Sequence, residues 1–189
     1  MTTKKYLFTS TRLGFRNWTK TDYPKMIAIS CSTEVMKFFP APATEEQTID
    51  FIERMKEQLK ERNFCYFAVD LIETNEFIGF IGLCYQDFVS NYTPFTDIGW
   101  RLSPKFWGQG LATEGAQACL DYGFNTLLLK EIYSTAPKAN TKSWHIMEKI
   151  GMKKVTEFIH PRLKGNKVLE KVVLYKISNL KYEQYLSTK

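Results

Sequence analysis

The run Asp97-Ile98-Gly99-Trp100-Arg101-Leu102-Ser103-Pro104-Lys105-Phe106-Trp107-Gly108-Gln109-Gly110-Leu111-Ala112-Thr113-Glu114 passes from a strand pattern through a two-glycine turn straight into a helix. Alternation puts Asp97, Gly99 and Arg101 on one face of the strand and Ile98, Trp100 and Leu102 on the other. A helix start leaves about four backbone N–H groups without partners and carries roughly half a positive charge. Glycine lets the backbone come close to a ligand in conformations closed to other residues. Such a turn is built to cradle a pyrophosphate. It is not the dinucleotide fingerprint, because Thr113 stands where the third glycine of GxGxxG belongs. A P-loop is also excluded, since no Gly-Lys-Ser/Thr follows. Taken alone, the two glycines mark an ordinary strand-to-helix turn.

Upstream of this run, Leu7 to Trp18 reads as a first strand, and Asp22 opens a short helix through Cys31. Phe38-Phe39-Pro40-Ala41-Pro42 is a rigid apolar turn. Thr44-Glu45-Glu46-Gln47 is a capping box that starts a helix from about Glu45 to Arg62, with Ile49, Ile52, Met55 and Leu59 at helical spacing. Phe64 to Leu71 and Glu76 to Gln86 read as an antiparallel hairpin turning at Glu73-Thr74-Asn75. Downstream, the helix runs from about Gly108 to Asn125, followed by a strand from Glu131 to Ala136. Asn140 to Ile150 is a helix closed by Gly151, whose missing Cβ suits a left-handed helix end. Met152 to Ile159 and Val168 to Ile177 complete the series as two strands. Antiparallel strands come first and βα crossovers appear only in the second half. This predicts an α/β (α+β) domain: a mixed, mostly antiparallel, twisted central sheet of six to seven strands with helices on both faces.

No repeat, linker or low-complexity tract divides the chain, so residues 1–189 read as one domain. Composition is that of an ordinary globular protein, 44% hydrophobic and 24% charged. The net charge of +6 is spread along the chain in short runs such as Lys153-Lys154. Nucleic-acid binders concentrate such charge in a stripe, so a phosphate-bearing cofactor accounts for it better. Cys31, Cys65, Cys84 and Cys119 are scattered, and His145 and His160 do not complete a zinc set, so no metal is expected. The four thiols read as small buried hydrophobes in a reducing compartment. No segment resembles a signal peptide or a span of ~20 apolar residues, which predicts a cytoplasmic protein without membrane or nucleic-acid partners.

Lys105-Phe106-Trp107-Gly108-Gln109-Gly110 resembles the acetyl-CoA loop of the GNAT superfamily of N-acetyltransferases, (Gln/Arg)-x-x-Gly-x-(Gly/Ala), with Lys keeping the positive charge of the first place. Leu102-Ser103-Pro104 through Glu114 is similar to the branch that includes the ribosomal-protein N-terminal acetyltransferases. Asn140-Thr141-Lys142-Ser143, then Met147-Glu148-Lys149-Ile150-Gly151-Met152, resembles that family's Asn-x-x-Ser helix start and Glu-Lys-Leu-Gly-Phe ending. Gly79 and Gly82 sit where its third strand carries Ile-Gly-x-x-Gly.

The resemblance implies direct attack of an amine on the acetyl thioester of acetyl-CoA. The cofactor-binding set is then Leu102, Lys105, Phe106, Trp107, Gly108, Gln109, Gly110, Leu111, Ala112, Thr113 and Asn140. The amides after Trp107 would hold the phosphates, the amide near Leu102 would meet the thioester oxygen, and Asn140 would hold the pantetheine or merely cap its helix. Asp97 stands where this branch often carries a Glu and is the candidate base; its alternative is a solvated pair with Arg101. A base matters because a lysine-like amine is only about 0.04% neutral at pH 7, against about 10% for an α-amine. Ser143 is the candidate acid for the departing sulfur. The acceptor pocket falls to the two early helices, the Phe38–Ala43 turn and the hairpin around His160 to Lys167; Phe38, Phe39, Tyr85, Trp100 and Phe158 read as core more than lining. The partners expected are acetyl-CoA and an amine acceptor, with the chain a monomer or homodimer. A catalytically quiet acyl-CoA-binding module and a basic nucleic-acid-binding domain are the competing classes.

Overall fold

Strand β5 (Phe95–Leu102), which carries Asp97, lies inside a single eight-stranded sheet ordered β1-β2-β3-β4-β5-β6-β8-β7. This arrangement comes from a computed structural model that describes residues 5–188. The other strands are β1 (Phe8–Thr9), β2 (Leu13–Arg16), β3 (Tyr66–Leu71), β4 (Phe77–Gln86), β6 (Glu131–Pro137), β7 (Lys153–Ile159) and β8 (Lys171–Ser178). All neighbours pair antiparallel except β5 with β6, which run parallel. The helices are α1 (Tyr23–Ser30), α2 (Glu45–Arg62), α3 (Leu111–Asp121), α4 (Thr141–Lys149) and α5 (Asn179–Leu186).

The mixed, mostly antiparallel sheet is the one expected, with three local differences. The first predicted strand is broken: the Ser10 amide bonds the Leu13 carbonyl, turning the chain into a β1–β2 hairpin and raising the strand count to eight. The helix after the glycine turn starts at Leu111, not Gly108, because Gly108 (φ +74°) and Gly110 (φ +77°) hold left-handed backbone outside it. Its far end passes into a π turn, Tyr122–Thr126. Helix α5 was not anticipated at all; it packs Tyr185 against Gly151, where a Cβ would lie 2.8 Å from the ring. Gly151 itself is left-handed (φ +86°), as its place after α4 predicted.

Glycines also let the central strands close up. A Cβ on Gly79 would meet the Arg101 carbonyl at 2.2 Å, and one on Gly82 would meet the Cys65 carbonyl at 2.2 Å. Between the sheet and α3, Gly115 leaves room for the Ile81 and Leu13 side chains. The main core takes in Phe15, Ile52, Phe67, Ile81, Ile98 and Leu120. The thiols depart from expectation at one position: Cys65, Cys84 and Cys119 are buried, whereas Cys31 is exposed at the C-cap of α1. Among the described residues no helix is long and apolar enough to cross a membrane.

Candidate active site

β5 and β6 meet at a single register pair, Asp97 with Tyr133. Beside it the buried Ser134 hydroxyl donates to the Ile98 carbonyl at 2.8 Å, in place of a ladder bond. Past this point no register joins the two strands. Ser103 donates its amide to Ile78 on β4, so strand alternation turns the backbone of Trp100 and Leu102 toward the β6 side, into the gap. The sheet is thus split, and the glycine turn stands at the mouth of the split.

That turn is built for exposed amides. The Trp107 indole donates to the Leu102 carbonyl at 2.8 Å and the Gln109 side chain to the Lys105 carbonyl at 2.9 Å, pinning the loop to the strand end. Phe106 and Leu111 are buried anchors, and the Phe106 amide is already taken by the Ser103 carbonyl at 2.9 Å. From Gly108 to Thr113 no amide finds a protein acceptor among the described residues, and the first helical bond is Glu114 to Gly110. A Cβ at Gly108 would meet nothing within 4 Å, so the space over the loop is open. These amides, at the positive end of α3, suit a diphosphate. Glu114 then ties the loop to the β1–β2 hairpin, accepting from the Ser10 hydroxyl, the Arg12 amide and the Arg12 guanidinium at 2.6 to 2.8 Å. Arg12 also donates to the Gln109 carbonyl at 3.1 Å. Lys105 differs from expectation: its ammonium is paired with Glu76 at 2.6 Å on the surface.

The second motif comes alongside. Lys142, in the first turn of α4, lies over the Trp107 ring at 5.9 Å. Asn140 accepts the Ser143 amide at 3.3 Å and so caps α4. The Ser143 hydroxyl has no hydrogen-bond partner among the described residues, and none joins it to Asp97.

Asp97 does not lie on a solvated face. It is buried, forms no ion pair with Arg101, and accepts the Tyr66 hydroxyl at 2.6 Å. Burial pushes its pKa up to about 7, against the pull of bonds from Tyr66 and Gln86. Burial and the neighbouring Asp97 in turn hold Tyr66 well above the ordinary phenol range, keeping it a neutral donor. Tyr66 reaches Asp97 across Gly99, where a Cβ would lie 3.0 Å from the ring. Sequence reasoning missed Tyr66; its one signal was a glycine on the same strand face as the carboxylate. The five aromatics assigned to core are only partly covered: Phe38, Tyr85, Trp100 and Phe158 are intermediate and Phe39 is 41% exposed.

No cluster of His, Cys, Asp or Glu able to hold a metal ion occurs among the described residues. A mixed sheet parted at its parallel pair, with unpartnered amides at the mouth, is an architecture suited to an acyltransferase. Residues 12–153 match the acetyltransferase (GNAT) domain, and the chain belongs to the GNAT family of acetyl-CoA-dependent acetyltransferases. It is 31% identical over 159 residues, 84% of this chain and 89% of that protein, to the uncharacterized N-acetyltransferase YnaD of Bacillus subtilis (strain 168). A GNAT-family acetyltransferase from Bacillus anthracis superposes with a TM-score of 0.75 at 31% identity, covering 91% of this chain and 98% of that one. The ribosomal-protein-S5-alanine acetyltransferase from Vibrio fischeri shares the fold, with a TM-score of 0.71 at 20% identity over 91% of this chain and 96% of that one.

Proposed function

We propose that this enzyme moves the acetyl group of acetyl-CoA to a primary amine by direct attack, the whole chain serving as one acetyltransferase domain. The observation that carries the proposal is the row of unpartnered amides from Gly108 to Thr113 beside the open β5–β6 split. Bound acetyl-CoA supplies a thioester that an amine can attack. The loop amides hold its diphosphate, each charge-assisted bond contributing about 1.5–3 kcal/mol. The Leu102 amide, turned into the split, is placed to receive charge developing on the carbonyl oxygen. Asp97, with a pKa of about 7, is matched to accept a proton from the amine near neutrality. Tyr66 orients that carboxylate by its 2.6 Å bond and acts as a positioning residue. Ser143 offers a free hydroxyl to the departing sulfur, and Asn140 keeps it in place by capping α4.

An amine panel with free-thiol detection tests this reading. Thiol release that depends on both acetyl-CoA and an amine supports it. Acetyl-CoA binding without amine-dependent release from any panel member contradicts it and leaves a quiet acyl-CoA-binding module.

A further inference from the structure

Arg101 shares the α1–α2 face of β5 with Asp97, with Gly99 between them. Its guanidinium is flanked by the Phe39 ring at 4.5 Å and the Phe80 ring at 5.3 Å. One nitrogen, Nη1, donates to the Ser30 hydroxyl at the end of α1, at 3.2 Å. No carboxylate pairs with it among the described residues. Among the described residues its Nε is buried without an acceptor, and no group takes Nη2. Arg16 shows what that edge of a guanidinium does when filled: its Nε and Nη2 grip Asp70 at 2.8 and 2.7 Å, side by side. The same edge of Arg101 is covered but has no acceptor among the described residues, on the wall where the acceptor pocket is expected. Such a fork fits two oxygens of one anionic group better than any other partner.

We propose that Arg101 is the acceptor-side clamp of this enzyme, selecting an amine that also carries an anionic group, a carboxylate or a phosphate, and turning away polyamines. The inference rests on the acetyltransferase reading of the same site and names its substrate class. Four strand residues span about 13 Å, so an amine at Asp97 and an anion at Arg101 fit within one small molecule. An ammonium group brought beside the unneutralised guanidinium would meet repulsion instead. Phe39, 41% exposed on the connection between α1 and α2, is the piece that turns aside to admit the anion.

The test compares kcat/KM across four acceptor sets: amino acids, aminoalkyl phosphates, neutral alkylamines and spermidine. The wild type is expected to favour one of the two anionic sets by about tenfold or more over the neutral and cationic ones, the better set naming the anion. Arg101→Met should remove that preference by raising the acceptor KM, with a much smaller effect on neutral amines, while Arg101→Lys retains part of it. Preference for spermidine or neutral amines in the wild type overturns the proposal without requiring any variant. So does an Arg101→Met enzyme slowed alike on all four sets, or one whose defect lies in the acetyl-CoA KM. Absence of transfer to any amine would instead overturn the acetyltransferase reading beneath it.

Discussion

Asp97 shows how one residue type acquires a function from its surroundings. A carboxyl with an ordinary pKa near 3.8 is drawn up to about 7 because it is buried, with Tyr66 as its hydroxyl donor. Two consequences follow from the sign of that shift. Turnover should rise as pH passes through about 7, where Asp97 loses its proton. Asp97→Asn should flatten that rise and lower turnover about 100-fold or more, and to a greater extent on lysine-like amines than on α-amines. A pH–rate profile of the variant that still climbs as in the wild type would remove Asp97 from the chemistry. Stability moves the opposite way. Between about pH 4 and 7 the folded chain keeps a proton that the unfolded chain has released, so this group makes folding less favourable as pH rises. Denaturant melts at pH 5 and pH 8 should show a smaller difference in Asp97→Asn than in the wild type. The position of this carboxylate was legible in the strand alternation and the family resemblance. Its burial was not, because burial depends on Tyr66 from β3 and Gln86 from β4 arriving beside it, and a period-two pattern on one strand says nothing about its neighbours.

Elements were legible where their signals were local. The Thr44–Gln47 capping box, the Gly151 stop and the glycine turn before α3 all hold in the structure, each being a contact within a few residues. The β1–β2 break and α5 were missed, since both depend on distant packing. Ser10 and Arg12 turn the chain by reaching Glu114, and α5 docks Tyr182 against Phe124 and Asp121. The split between β5 and β6 is another such feature, held at its vertex by Ser134. Ser134→Ala leaves the Ile98 carbonyl without its buried donor and should cost about 1–3 kcal/mol of stability. It should also weaken acetyl-CoA binding, since the two strands lose the bond that fixes where they part. Chemical denaturation paired with calorimetric titration checks both; a variant with wild-type values in each would detach Ser134 from the architecture of the split.

Across the whole molecule, one buried ionic network ties the sheet edge to the helical layer that faces the site. Arg16 on β2 bridges Asp22, at the start of α1, and Asp70 on β3, with bonds of 2.7 to 2.8 Å. Burial raises the Asp22 carboxyl, but the bonds from Arg16 and the Thr19 amide outweigh it and hold it below its ordinary value. Its stabilising contribution is therefore present above about pH 4 and fades as pH falls through the lowered value. Arg16→Met takes the bidentate partner from two buried carboxylates, leaving Asp70 the 3.4 Å Lys5 pair and Asp22 its Thr19 bonds. It should cost about 3 kcal/mol, read as a fall in the denaturation midpoint at pH 7 that narrows at acid pH. A change under 1 kcal/mol would show the network to be dispensable. Backbone amide NMR reads the loop at the mouth of the split directly. On titration with acetyl-CoA, the resonances of Gly108 to Thr113 should make the largest shifts in the protein, and Gly110→Val, which forces a β-branched residue into left-handed backbone, should abolish them. Saturable binding that leaves those six amides unmoved, or binding undiminished in Gly110→Val, would contradict the account.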